Sequence, residues 1–483
     1  MMRTKIGKPF KYYASFAAIF ILASQSLHAQ KYLSLQECID VAIKNNITVQ
    51  QKDLAKQSVK ADLLQSKLAL LPSLNGQLTN NYNTGFAINP ATNGAQEGVT
   101  FRNNSMGVSA NMTLFNGFQQ TNSIRLQQSN IKASEQDVES TKNTIRLSVA
   151  NVFLQVLMNT ELDERNRLQA GFTREQIIKQ QKLYDLGAAN KVKLLQLKAQ
   201  IANEELTIVT SKNTLDQSYL SLWQLMNIDP DTSLKIIKPE INIQKIEDEN
   251  RTPLQIYTDY LNQSPDVKAA QQRVRSAEIS KLVSLGGRSP RISLNASLSS
   301  FYSTQSQQGS GPISYSPMFY GFKDAAGTVP NIFYMPAYSN FDVTPFSDQF
   351  NRNLGKALGF TLMVPIFNQW QVNTNIQKAK INGYSAHLTE KQIQNDLFKN
   401  ISQSHQDFKA SQKKYDANQN SFDANKESYQ LAESQFTLGA INTTDYLNIK
   451  NEYLKAQSAF VQAKYELVFR RKVLDFYLGK PLN

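Results

Sequence analysis

A single cysteine, Cys38, stands in 483 residues. No intramolecular disulfide can form, so the chain holds its shape by packing alone. Leu35-Gln36-Glu37 precedes Cys38 where a lipidated cysteine needs small residues, which predicts no lipid anchor. Histidine is nearly absent: beyond His28 there are only His387 and His405, with no metal-ligand spacing between them. There is no GxSxG elbow, phosphate-binding loop or HExxH pair. Neither enzymatic chemistry nor a cofactor or metal is expected. Past residue 29 the chain has no run of 18 apolar residues, which excludes a transmembrane helix. It lacks a dense basic run too. The net charge of +13 falls to +9 without Arg3, Lys5, Lys8 and Lys11, and is spread along polar faces, so no nucleic-acid partner is expected.

Those four bases open a short apolar stretch, Ala14 to Ala23, closed by Ser26-Leu27-His28-Ala29. The pattern predicts a secretory signal peptide over 1–29, cleaved before Gln30. The remainder of the chain is written twice. Leu183-Tyr184-Asp185-Leu186-Gly187-Ala188-Ala189-Asn190 resembles Gln435-Phe436-Thr437-Leu438-Gly439-Ala440-Ile441-Asn442, with Gly187 and Gly439 252 residues apart. Phe115-Asn116 and Phe367-Asn368 keep that offset. So do Leu194, Ile201, Ile208, Leu215 and Leu222 against Tyr446, Tyr453, Phe460, Leu467 and Leu474. Upstream the offset is 218, from Pro72 to Pro290 and from Val49 to Val267, so the second copy carries 34 extra residues. Repeats of 30–227 and 252–483 are expected, joined by a linker at 228–251. The insertion falls in 304–353, rich in Ser, Gly, Pro and aromatics, and reads as an irregular loop.

Each copy begins with a helix, Ser34 to about Leu71 and Thr252 to about Leu285. Ser34 with Glu37 and Thr252 with Gln255 have capping-box spacing. Two stretches of period two come next in each: Leu74 to Leu78 and Met106 to Leu114, then Ile292 to Leu298 and Leu358 to Ile366. The alternate positions are mostly Ser, Asn, Thr and Gln. Apolar-out, polar-in alternation marks membrane-barrel strands, although a sandwich strand has the same pattern. A helix of some 68 residues then runs from Gln119 to Leu186, matched by Trp370 to Leu438, each roughly 100 Å long. Ile124, Ile131, Val138, Ile145 and Val152 step by seven, as do Val372, Ala379, Ala386 and Ile393, so these helices supercoil against neighbours. A glycine turn and a shorter helix close each copy, Asn190 to Met226 and Thr443 to Leu478. The fold class expected is mostly α with membrane β: duplicated long helical hairpins plus four strands per chain.

Four strands do not close a barrel, and unpaired edges in lipid cost several kcal/mol per group. Two chains would give eight strands around a filled interior; three would give twelve around a lumen. The duplicated order, the Leu-Gly tips, the Phe-Asn elements and the Pro72/Pro290 strand starts resemble the TolC-type outer-membrane efflux protein family over nearly the whole mature chain. That resemblance implies a homotrimeric twelve-stranded β-barrel in the outer membrane of a Gram-negative bacterium, continued by an α-helical periplasmic tunnel. It implies a periplasmic adaptor protein and an inner-membrane RND or ABC pump as partners, with outer-membrane lipid around the barrel.

The resemblance also assigns roles. The tips Leu186, Gly187, Ala188 and Leu438, Gly439, Ala440 would dock the adaptor; glycine C-caps that merely reverse the chain are the plainer reading. Asp445 matches the first position of an acidic entrance ring, or is simply a solvated acid at a helix start. Asn448 stands where a second acid is often found, Lys193 stands opposite in the first copy, and Phe436 replaces a hydrogen-bonding tyrosine. The insertion, with Tyr302, Tyr315, Phe319, Tyr320, Phe322, Phe333, Tyr334 and Tyr338, would face the cell exterior. A coiled-coil surface protein without transport activity is the competing reading. It has no use for four lipid-facing strands inside the helical repeat.

Overall fold

In the computed structural model the described residues are 32–88, 95–188, 190–230, 234–239, 250–320 and 331–480. The expected signal peptide and most of the 228–251 linker lie outside them, as does Phe322. The chain forms two compact units: 1–58 with 131–273 and 387–483, and 59–130 with 274–386.

The second unit carries the strands β2 (Ser73–Ile88), β3 (Ala95–Phe115), β5 (Arg291–Ser303) and β8 (Gly355–Met363), in the antiparallel order β2-β3-β5-β8. They are the four alternating stretches read from the sequence. β8 stops at Met363, short of the expected Val364 and Ile366, because Pro365 has no N–H for the ladder. The insertion at 304–353 is not an irregular loop. It folds as a two-stranded antiparallel ribbon, β6 (Gln307–Tyr320) with β7 (Asn331–Val343), and then a short helix α7 (Phe346–Arg352). Gln349 on α7 fixes this return: its amide donates to the carbonyls of Ser303 and Thr344 at 3.0 and 2.8 Å, and its oxygen accepts from the Ser303 N–H at 3.0 Å. Glycine and proline obscured the ribbon by breaking its register near Gly311.

The first unit is helical. Its expected opening helix is two, α1 (Leu35–Asn45) and α2 (Ile47–Leu68). Asn46 leaves helical geometry at ψ 123° and its side chain accepts from the Thr48 and Val49 N–H groups, so it ends one helix and caps the next. The counterpart also divides, into α5 (Pro253–Leu261) and α6 (Pro265–Gly286); Pro265 has no N–H to continue a helix and instead starts one. Both capping boxes form as spaced. The long helices are α3 (Gln119–Asp185) and α8 (Gln371–Thr437), 67 residues each, and the shorter ones α4 (Lys191–Met226) and α9 (Thr443–Tyr477). Helices α2, α3, α6 and α8 contribute residues to both units.

The seven-step residues of α4 and α9 are all buried or half-buried. They feed three apolar clusters. One joins Cys38, Ile39 and Ala42 of α1 to Phe153 and Leu157 of α3, Leu222 and Met226 of α4, and Tyr465 of α9. A second packs Ile256 and Tyr260 of α5 on Ile401 and Phe408 of α8 and Leu474 of α9. Each fully buried Leu, Ile, Phe or Met among them contributes about 1.5–3 kcal/mol by leaving water. Near the first cluster, β1 (Tyr32–Leu33) pairs in parallel with β4 (Lys235–Ile236), a contact too short to read from sequence.

Candidate functional site

The register of the sheet sorts its residues into two unlike faces. Leu74, Ala110, Ala296 and Leu358 lie in one row; Met112, Leu294 and Phe360 in another. The intervening rows read Asn75-Ser109-Ser297-Ala357, then Gln77-Gly107-Ser299-Gly355, and Thr113-Ser293-Thr361. The apolar face is open: Leu74 is 73%, Leu78 74%, Leu358 72% and Phe360 71% exposed. A water-facing sheet would not leave its large side chains uncovered on one whole face. The polar face is hydrogen-bonded across strands, Asn111 donating to Asn295 and Asn295 to the Thr361 hydroxyl at 2.9 Å. A shallow depression on the sheet is lined by Asn75, Gln77, Ser109, Ser297 and Ser299 together with Met106, Val108, Leu298 and Phe301. Among the described residues no helix is long and apolar enough to cross a membrane. Among the described residues β2 and β8 have no second partner in the chain. Open edges in lipid have no water to satisfy them, so they must pair with other copies.

At the far end of α3, Gly187 takes φ +73°, the Ala188 N–H donates to the Leu183 carbonyl at 2.8 Å, and the Gly187 N–H donates to that of Tyr184 at 2.9 Å. Gly439 repeats the motif after α8 at φ +75°, with Ala440 donating to Gln435 and Gly439 to Phe436. Both are Schellman caps, which satisfy the last carbonyls and turn the chain. Asn190 and Asn442 then cap α4 and α9. Such caps leave the preceding residue outside the packing: Leu186 is 80% and Leu438 84% exposed.

Two of the residues singled out from the sequence meet. Lys193 Nζ sits 3.8 Å from the Phe436 ring centroid, and Phe436 stacks on Tyr446 at 4.3 Å. Phe436 makes no phenolic hydrogen bond, but the ring holds a cation instead. Burial pushes the pKa of Lys193 down. Asp445 stands apart, exposed in the first turn of α9; its N–H donates to the Asn442 side chain at 2.9 Å and its carboxylate accepts from the Asn442 amide. Asn448 is exposed one turn on. Lys193 and Asp445 occupy equivalent positions, 252 apart, yet form no ion pair with each other.

The polar cluster behind the tips was not singled out from sequence. Lys450 is fully buried, with Nζ 2.8 Å from Glu204 and donating to the Thr173 hydroxyl, which itself donates to Glu204 at 2.6 Å. Gln200 adds a fourth contact at 2.9 Å. The cluster ties α9 to α3 and α4. Burial drives the pKa of Lys450 down against the pull of Glu204. Next to it Gln176 donates to the Tyr446 hydroxyl at 2.7 Å. Lower on α3, Glu161 receives Arg165 and the Tyr465 hydroxyl; burial raises its pKa, but these donors with the Lys464 charge outweigh it and hold the carboxyl near 2. Lys450 lies one helical turn past Tyr446 on the apolar stripe, and that placement was the available signal.

A two-faced, open-edged β-sheet within long paired helices defines a membrane-channel protomer. The family model described as outer membrane efflux protein matches residues 38–227 and 256–480. The chain belongs to the outer membrane efflux protein family, whose fold is a trimeric twelve-stranded β-barrel continued by an α-helical tunnel. Outer membrane efflux protein BepC of Brucella suis biovar 1 is 20% identical over 455 residues, 94% of this chain and 87% of that one. An uncharacterized protein of Haemophilus influenzae is 27% identical over 279 residues, 56% of this chain and 57% of that protein's length. Among solved structures, CusC superposes with a TM-score of 0.72 at 16% identity, covering 92% of both chains. The CmeC outer membrane channel of Campylobacter jejuni gives 0.70 at 18%, over 92% of this chain and 85% of that one. The open-state MtrE channel of Neisseria gonorrhoeae gives 0.68 at 16%, over 93% and 89%.

Proposed function

We propose that three copies join β8 to the β2 of the next and form the passive exit duct of a tripartite efflux or secretion system. The barrel stands in the outer membrane of a Gram-negative cell with lipid against Leu74, Leu78, Leu358 and Phe360. An inner-membrane RND or ABC pump supplies the energy, and a periplasmic adaptor seats on the helical tips. The observation that carries this reading is the sheet: an exposed apolar face, a polar face of Ser, Asn, Thr and Gln, and two edges with no second partner among the described residues, which further copies would fill.

At the tips the docking elements are Leu186-Gly187-Ala188 and Leu438-Gly439-Ala440. A leucine held out by a rigid cap offers an adaptor an apolar knob at little entropic cost. Asp445, three times around one axis, forms the acidic element of the entrance. With Asn448 neutral and Lys193 at the equivalent first-copy position, the entrance attracts cations weakly. One set of variants tests both roles. Leu186→Asp with Leu438→Asp should abolish pump-dependent efflux while the trimer still forms. Asp445→Ala should keep efflux but weaken block of single-channel current by a multivalent cation added from the helical side. Full efflux from the tip variant, or unchanged block in Asp445→Ala, sinks the corresponding assignment.

A further inference from the structure

The paired polar rows of the four-stranded sheet carry a single charged residue among those described, Arg291. It opens β5, opposite Met363 of β8 and two residues before Ser293, so it falls in the polar rows. Its guanidinium donates to the Thr113 hydroxyl at 3.1 Å, on that same face, and it is exposed. Arg291 has no carboxylate partner among the described residues. Nor does the surrounding sequence offer one. The segments that enter and leave the sheet at this end, 63–75, 110–134, 279–303 and 353–389, hold nine Lys or Arg and no Asp or Glu. On the helical side the nearest acids along the chain are Asp62, Glu135, Glu278 and Glu390.

We infer that Arg291 forms, with its copies, an anion-selective ring at the helix-side mouth of the barrel. The inference rests on the trimeric channel reading. The ring would take solutes bearing a carboxylate or phosphate group. Three guanidiniums face one lumen whose remaining lining is mostly Ser, Asn, Thr, Gln and Gly. Like charges around a common axis add their fields, and no acid is at hand to cancel them. The planar fork pairs with two oxygens at once, so carboxylate and phosphate are the groups it recognises best. The Thr113 bond holds the fork over the polar face instead of letting it swing to the interface. The barrel mouth and the Asp445 entrance then have opposite sign, and a cargo passes a weakly acidic element before a basic one.

The test is single-channel current in planar bilayers at low salt, with inorganic pyrophosphate added on the barrel side, which reaches the ring without crossing the helical tips. Pyrophosphate should block wild type about tenfold more tightly than Arg291→Gln, and Arg291→Lys should fall between them, because ring charge without the fork keeps only part of the attraction. Raising the salt to about 1 M, where the Debye length is about 3 Å, should erase the difference. Equal block of wild type and Arg291→Gln, with both conducting normally, overturns the ring alone. If wild type inserts no conducting channel, the channel reading fails and the ring falls with it.

Discussion

Gly117→Ala should leave no heat-stable trimer in outer-membrane fractions. Gly117 sits where β3 hands over to α3, at φ +65°, and a Cβ there would lie 2.4 Å from the Gly286 carbonyl oxygen and 2.5 Å from Ser289 Cβ. The clash is reciprocal, since a Cβ on Gly286 would lie 2.5 Å from the Gly117 carbonyl oxygen. Backbone met by backbone cannot be relieved by a side-chain rotation. Overpacking of this kind costs about 1–3 kcal/mol, and left-handed backbone adds about 1–2. The second copy separates the two causes. Gln369, 252 residues on, takes φ +53° with a full side chain, so the turn alone does not demand glycine. The close approach to α6 does. Gly171→Ala is the matched control. Its Cβ would meet nothing within 4 Å in the middle of α3, and it should stabilise by about 0.5–1 kcal/mol. Trimer yield before and after graded heating compares the two.

Lys450→Met should lower stability by about 3–5 kcal/mol, because it strands Glu204 in a site whose side chain is only 7% exposed. The pair itself is worth little net; the loss comes from leaving one buried charge unpaired. Pairing Lys450→Met with Glu204→Leu should therefore recover most of the loss. Urea midpoints of the single and double variants, monitored by far-UV circular dichroism, decide this. A double variant as weak as the single would mean that packing around Lys450, and not the stranded charge, sets the cost. If the cluster also clamps α9 to α3 and α4 at the tips, the double variant should remain stable but open more often in bilayers.

Much of this molecule is legible from residue spacing because its elements are long and its periods strict. The seven-step of Leu194 to Leu222 and its copy predicted α4 and α9 to within a residue at each end. The alternation of Leu358, Phe360 and Leu362 found β8, and failed only where Pro365 ended the ladder. The tips were legible because glycine after leucine, with asparagine close behind, is the chemistry that a Schellman cap and a new N-cap require. The breaks at Asn46 and before Pro265 were missed because the apolar stripe runs on across them. The β6–β7 ribbon was missed for the opposite reason: Pro312, Pro317 and Pro336 interrupt its alternation. Lys450 was hidden because a lysine on a helix reads as solvated until a partner such as Glu204 is placed beside it. Arg291 needed the strand register, since only the pairing with β8 and the bond to Thr113 assign it to the polar face.

The central claim is that four strands per chain close only between copies, β8 against the neighbour's β2. Cys38 is buried, so introduced cysteines can be addressed selectively. A cysteine near the start of β2, Leu74→Cys, combined with Leu358→Cys, Phe360→Cys or Leu362→Cys along β8, samples the seam at successive registers. Oxidation in outer-membrane vesicles should give a ladder of covalent dimer and trimer for at least one register, and none for any single cysteine. Within one chain β2 and β8 are separated by β3 and β5, so an intramolecular link does not compete. Monomer alone at every register, from a chain that is folded and in the membrane, would contradict the barrel.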